Sequence, residues 1–175
     1  AAPRIARRIA IIVPASKRRT REGDRGMKTI SGGQTGADRA ALDAAAALGL
    51  PTGGTAPGNY WTERGPDPSL AALGLVAQGS PDFRTERNVL DADATVIFAT
   101  RRDSPGSALT LACARKHSKP VVVIDPWDPA AAGRLAAFLQ TYAPGVLNVA
   151  GHRESQAPGI YRRVFDLLTG ALAAR

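Results

Sequence analysis

Between two apolar stretches the chain carries Ser31-Gly32-Gly33-Gln34-Thr35-Gly36-Ala37-Asp38. Closely spaced glycines let backbone N–H groups approach an anion, and a helix beginning at Ala37 would aim its dipole at the same place. The segment has the outline of a phosphate-binding loop. It is not a Walker A loop, because no Lys-Ser/Thr follows Gly36, and it is not Gly-x-Gly-x-x-Gly, because Gly32 and Gly33 are adjacent. Thr35 and Asp38 have the spacing of a capping box, so Asp38 either caps the helix or contacts a hydroxyl, a metal or a ligand amine.

Two further stretches could donate to the same ligand. Gly106, Ser107 and Thr110 open a second helical pattern, with Ser107 a natural N-cap whatever the function. Asn148 to Ser155 contains Gly151, Arg153 and Glu154. Arg153 can grip an oxyanion with two N–H groups, while Asn148 and Glu154 can orient polar groups; an exposed Arg–Glu pair in a solvated loop is the alternative. The run Arg84-Thr85-Glu86-Arg87-Asn88 would supply cationic Arg84 and an acid–base candidate in Glu86 if its helix reaches the ligand, and otherwise a wet helix face capped by Thr85. Cys113 lies among Leu109, Leu111, Ala112 and Ala114 and reads as a buried thiol. His152 reads as a bystander.

Something must bring these segments together. From Met27 onward short β-branched runs alternate with helical patterns, which predicts an α/β fold with a mostly parallel sheet of about five strands and helices on both faces. Strands are expected at Met27–Ile30, Ala94–Thr100, Pro120–Ile124 and Val146–Val149, with a very short one near Leu50–Gly53. Helices are expected at 37–48, 84–90, 107–117, 129–142 and 158–174. Residues 54–82, rich in Gly, Pro and Ser, show no period and read as a long irregular segment, where Tyr60 and Trp61 could stack on a ring or simply pack. Loops after strands are long and polar, whereas loops after helices are clipped. In a parallel sheet every strand ends on one edge, so the stretches around Gly33, Gly106 and Gly151 are expected to share one rim.

Composition narrows the function. The 175 residues suit one domain and contain one cysteine, which excludes an internal disulfide and cysteine-rich metal sites and makes a reducing, cytoplasmic setting the expectation. No apolar run approaches the roughly 20 residues of a membrane span. The net charge of +8 is uneven. Residues 1–26 hold eight cationic side chains (Arg4, Arg7, Arg8, Lys17, Arg18, Arg19, Arg21 and Arg25) against Glu22 and Asp24, a net of +6, leaving the rest at +2. The first 26 residues therefore read as a basic extension outside the core, and residues 27–175 as a single ligand-binding domain. A targeting segment or a nucleic-acid arm would also explain the extension, but a body this close to neutral gives nucleic acid little footprint, and that reading ranks last.

The loop Ser31–Asp38 continuing into Arg39-Ala40-Ala41-Leu42-Asp43, with Arg84–Asn88, Gly106–Thr110 and Leu147–Gly151 followed by Arg153-Glu154-Ser155, resembles the molybdenum carrier family, also described as circularly permuted members of the YpsA-like branch of the SLOG superfamily. The resemblance spans roughly residues 27–168. It implies a Rossmann-like three-layer fold holding a small anionic ligand at its glycine-rich loops. That ligand is a molybdenum cofactor of the molybdopterin type or a nucleotide derivative, with molybdoenzymes as partners and, by analogy with the fold, a homo-oligomer. The ligand-binding residues it implies are Ser31, Gly32, Gly33, Gln34, Thr35, Gly36, Asp38, Arg84, Gly106, Ser107, Thr110, Asn148, Gly151, Arg153 and Glu154. Elsewhere in the superfamily, phosphoribohydrolases cleave the N-glycosidic bond of nucleotides using a Pro-Gly-Gly-x-Gly-Thr-x-x-Glu motif. Here Gly32 and Gly33 match, the Gly-Thr order is reversed at Thr35-Gly36, and Asp38 is the nearest carboxylate. An enzyme of that kind, with Asp38, Glu86 or Glu154 as acid–base group, is the alternative to a carrier.

Overall fold

The computed structural model describes residues 26–100 and 104–175. The basic stretch of residues 1–25, and Arg101 to Asp103 in the loop before Gly106, lie outside the described residues. Six strands form one sheet: β1 (Lys28–Ile30), β2 (Thr52–Ala56), β5 (Leu75–Ala77), β6 (Ala94–Phe98), β7 (Val121–Ile124) and β8 (Val146–Gly151). Its order is β5-β2-β1-β8-β6-β7, and every pair is parallel. Two-residue strands β3 (Trp61–Thr62) and β4 (Gly65–Pro66) form a separate antiparallel hairpin.

The sheet thus has six strands rather than about five. The additional one, β5, lies inside the Gly/Pro-rich segment and is three residues long, too short to show a period. Ladder bonds to β2 hold it there, at Gly54–Leu75, Thr55–Val76 and Ala56–Ala77.

Helices α1 (Ala37–Ala47), α4 (Ala131–Tyr142) and α5 (Ile160–Ala173) cover one face of the sheet, and α2 (Pro81–Asp91) and α3 (Pro105–Lys116) cover the other. The first face is strongly apolar. Ala37, Ala40, Ala41, Ala44 and Ala45 keep the α1 surface flat, so α5 lies close against it and buries Ile160, Val164, Leu168 and Leu172. The second face is sparser. Val89, Cys113 and Ala114 make a small cluster beside buried Asn88, Thr95, Thr110 and Asn148. Burial pushes the Cys113 thiol's pKa up, as suits a packing residue rather than a nucleophile.

The helix boundaries shift for identifiable reasons. Helix α2 starts at Pro81, before Arg84, because the Ser80 hydroxyl accepts the Phe83 N–H at 3.1 Å. Thr85 instead donates to the Pro81 carbonyl. In α3 the N-cap position is Ser104, which places Ser107 inside the first turn. The last strand in sequence, β8, sits at the centre of the sheet, between β1 and β6, so loops more than a hundred residues apart in sequence become neighbours.

Candidate functional site

The loop from β1 to α1 folds around its own aspartate. Ser31 Oγ accepts the Gly33 N–H at 3.1 Å and donates to the Asp38 carbonyl at 3.1 Å. Asp38 Oδ2 accepts the Gln34 N–H at 3.3 Å, and the Gly32 N–H also faces this carboxylate. Arg84, from α2, lies directly over Gly32 and donates from Nη1 to Asp38 Oδ2 at 3.0 Å. A β-carbon on Gly32 would fall on that guanidinium, so a larger residue there would displace Arg84 from its place over the loop. Burial raises the Asp38 pKa above its ordinary value, and the Arg84 charge with the loop amides partly offsets this. The loop amides thus serve an internal carboxylate. The capping box does not form: the N-cap is Gly36, and the Ala37 N–H goes to the His152 carbonyl at 3.1 Å.

That last bond joins the first loop to the one after β8. Gly36, at φ 76°, packs against the backbone from His152 to Glu154, and Gly151 against the Phe98 carbonyl and Ala37. The Thr35 hydroxyl accepts the Glu154 N–H at 3.2 Å. The Glu154 carboxylate accepts the N–H groups of Gly159 at 2.6 Å and Tyr161 at 3.0 Å, so it holds the start of α5.

A residue the sequence reading missed completes the junction. Glu63, at the tip of the β3–β4 hairpin, accepts hydrogen bonds from the Thr35 hydroxyl, the Ser155 hydroxyl and the Ser155 N–H, the last at 3.2 Å. Its own N–H donates to Gln34 Oε1 at 2.9 Å. Burial works to raise the Glu63 pKa, but the bonds from Ser155 and Thr35 outweigh it and hold the carboxyl below its ordinary value. Beside it the Arg153 guanidinium stands 5.9 Å from the Trp61 ring centre. The available signal was Trp61-Thr62-Glu63-Arg64-Gly65, a polar turn with glycine between short flanks, which is a hairpin pattern.

Between hairpin, α1 and the β8–α5 loop lies a cleft of about 560 Å³. Gly33, Thr35 and Gly36 line it from the first loop, Arg39 and Asp43 from α1, Thr62, Arg64, Gly65, Pro66 and Asp67 from the hairpin and its exit, and Glu154 and Tyr161 from the far side, with the Glu63 seat at its edge through Thr35. Arg39 pairs with Asp43 at 3.0 Å and Asp67 at 2.9 Å, tying the hairpin segment to α1. The Tyr161 hydroxyl donates to Asp43 at 2.8 Å, and burial with this bond pushes its pKa to about 12.

The remaining expected residues lie elsewhere. Gly106, Ser107 and Thr110 sit at the opening of α3, on the same sheet edge but the other face, and do not line the cleft. The Thr110 hydroxyl donates to the Gly106 carbonyl at 2.9 Å. Asn148 is inside the sheet, with Nδ2 donating to Thr95 Oγ1 at 3.3 Å. Glu86 accepts from Lys116 at 2.8 Å and lies 2.7 Å from His117 Nε2. Those partners stand at the far end of α3, about 18 Å from the helix start at 1.5 Å per residue. Two of the three donor stretches therefore contribute residues to the cleft wall, and the α3 stretch contributes none.

The Circularly permutated YpsA SLOG family matches residues 29–172. A solved structure, that of the "Putative molybdenum carrier protein" from Syntrophus aciditrophicus SB, is 37% identical with a TM-score of 0.78 and covers 85% of this chain and 96% of that one. No curated protein matches the chain.

Proposed function

Because the chain belongs to the Circularly permutated YpsA SLOG family, with a three-layer α/β fold shared with a protein named as a molybdenum carrier, we propose that it binds and carries a small ligand with an anionic end. The cargo class is a molybdopterin-type cofactor or a related nucleotide, received in the cleft between the β3–β4 hairpin and α1. The observation that carries this reading is the seat around Glu63. Donors from the β1 and β8 loops converge on one carboxylate, which is the chemistry an oxyanion requires.

The cleft volume falls within the range of roughly 300–1,000 Å³ common for small-ligand sites. Arg64 on its wall offers charge to a phosphate or molybdate group, whereas Arg39 is held by Asp43 and Asp67. The donors here are hydroxyls, amides and guanidiniums, and among the described residues no group of three His, Cys, Asp or Glu gathers to hold a bare metal ion. Molybdenum would accordingly travel as part of an anionic ligand.

Nucleotide hydrolysis is favoured less, since each candidate carboxylate is committed. Asp38 is locked under Arg84, Glu154 caps α5, and Glu86 faces the end of α3. Among the described residues no helix is long and apolar enough to cross a membrane.

Ligand-dependent melting and native mass spectrometry with molybdate, phosphate, molybdopterin and nucleoside monophosphates test the proposal. Stabilisation by molybdopterin or a nucleoside monophosphate, lost in a Thr35→Val, Ser155→Ala double variant, is the expected result. No shift with either, whatever the response to molybdate or phosphate, would overturn it.

A further inference from the structure

The groups that grip Glu63 belong to the two loops assigned above to the ligand's anionic end, so the chain's own carboxylate sits where such an end would be received. We propose that Glu63 is a specificity-determining stand-in for the ligand. It keeps the Thr35–Ser155 seat closed to monoanions such as carboxylates and yields it to a dianionic tetrahedral oxyanion, phosphate or molybdate; this rests on the anion-binding reading above.

The seat is well made for an oxyanion: one oxygen of Glu63 takes the Thr35 hydroxyl and the Ser155 N–H, and the other takes the Ser155 hydroxyl. The carboxylate reaches it on a tether that is already ordered, because Gln34 fixes the Glu63 N–H and Arg39 fixes Asp67 at the hairpin's exit. A group held in this way competes at an effective concentration in the millimolar range or above. A free carboxylate, with the same charge and one hydrogen-bonding edge, gains nothing over it. A dianion brings a second charge and further acceptor oxygens, which Arg153, whose charge already acts on Glu63, and Arg64 on the cleft wall can meet; Arg39 stays with Asp43 and Asp67. Rotation of the half-buried Glu63 side chain empties the seat without breaking the Gln34 bond to its backbone.

The test uses the full chain and its Glu63→Ala and Glu63→Gln variants, titrated calorimetrically with acetate, phosphate, molybdate, molybdopterin and a nucleoside monophosphate at constant ionic strength. The wild type is expected to ignore acetate. Glu63→Ala is expected to bind acetate, with a raised Tm, and to bind the oxyanions about tenfold or more tighter, because the seat no longer has to be vacated. If Glu63→Ala does not fold, tighter oxyanion binding by Glu63→Gln carries the same information. Indifference of Glu63→Ala to acetate, or oxyanion affinity unchanged or weakened in both variants, would overturn the proposal. Tightened oxyanion binding without binding of any pterin or nucleotide would sink the carriage reading and leave this one standing. Pterin binding that ignores residue 63 would do the reverse.

Discussion

A β-carbon placed on Gly36 would lie 2.4 Å from the carbonyl oxygen of His152, closer than any real contact of that kind. Two loops separated by more than a hundred residues are thus in backbone contact at the rim of the sheet, and the site depends on that approach.

Gly36→Ala should therefore destabilise the protein by at least about 2 kcal/mol, since a left-handed residue costs roughly 1–2 kcal/mol before the clash with backbone is added. Gly106 offers the contrast. It is helical and has open space around it, so Gly106→Ala should stabilise by about 0.5–1 kcal/mol. Urea denaturation of the two variants measures both.

Arg84→Met should cost about 3–5 kcal/mol at neutral pH, because it leaves the buried Asp38 charge without its cation. The loss should shrink in acid. Asp38 has a raised pKa in the folded protein, and without Arg84 it rises further. Above the ordinary value of 3.8 the unfolded chain is ionised while the folded one resists ionisation, so stability falls as pH rises. Denaturation midpoints of the variant between pH 4 and 8 should follow that slope more steeply than the wild type.

Glu63 behaves in the opposite sense. Its folded pKa is lowered, so its contribution is present above 4.5 and is lost as pH falls through the folded value. Glu63→Gln should consequently narrow the gap between stability at neutral pH and at pH 3. Thermal melts of variant and wild type across that window check it.

Tyr161 sets an alkaline limit. With its pKa at about 12 against an ordinary 10.0, the hydroxyl's bond to Asp43 supports the fold below pH 10 and loses that support as pH rises towards 12. Tyr161→Phe should decline less over the same interval, as read from paired chemical denaturation curves.

Glu86→Gln should leave affinity for phosphate and molybdate within about twofold of wild type, since its partners Lys116 and His117 lie a helix length from the rim. A large loss of binding or of any turnover would return Glu86 to the site.

The alternation of strands and helices, the parallel sheet and the shared edge of the loops that follow its strands were legible in the residues alone, because these follow from apolar period, glycine punctuation and loop length, which are local properties. The motif Ser31–Asp38 was legible as a loop opening a helix for the same reason. Which partner its amides would meet was not. Asp38 and Arg84 are 46 residues apart, and only the packing of α2 brings that guanidinium over Gly32. Glu63 was further out of reach. Two-residue strands carry no period, and the partners Thr35 and Ser155 stand 28 and 92 residues away, so its role exists only once β8 has been inserted beside β1. The separation of Gly106 from the cleft was decided in the same way, by the face of the sheet to which α3 was assigned. Sequence fixes what each segment can offer; the order of strands in the sheet, a property of long-range packing, decides which offers meet.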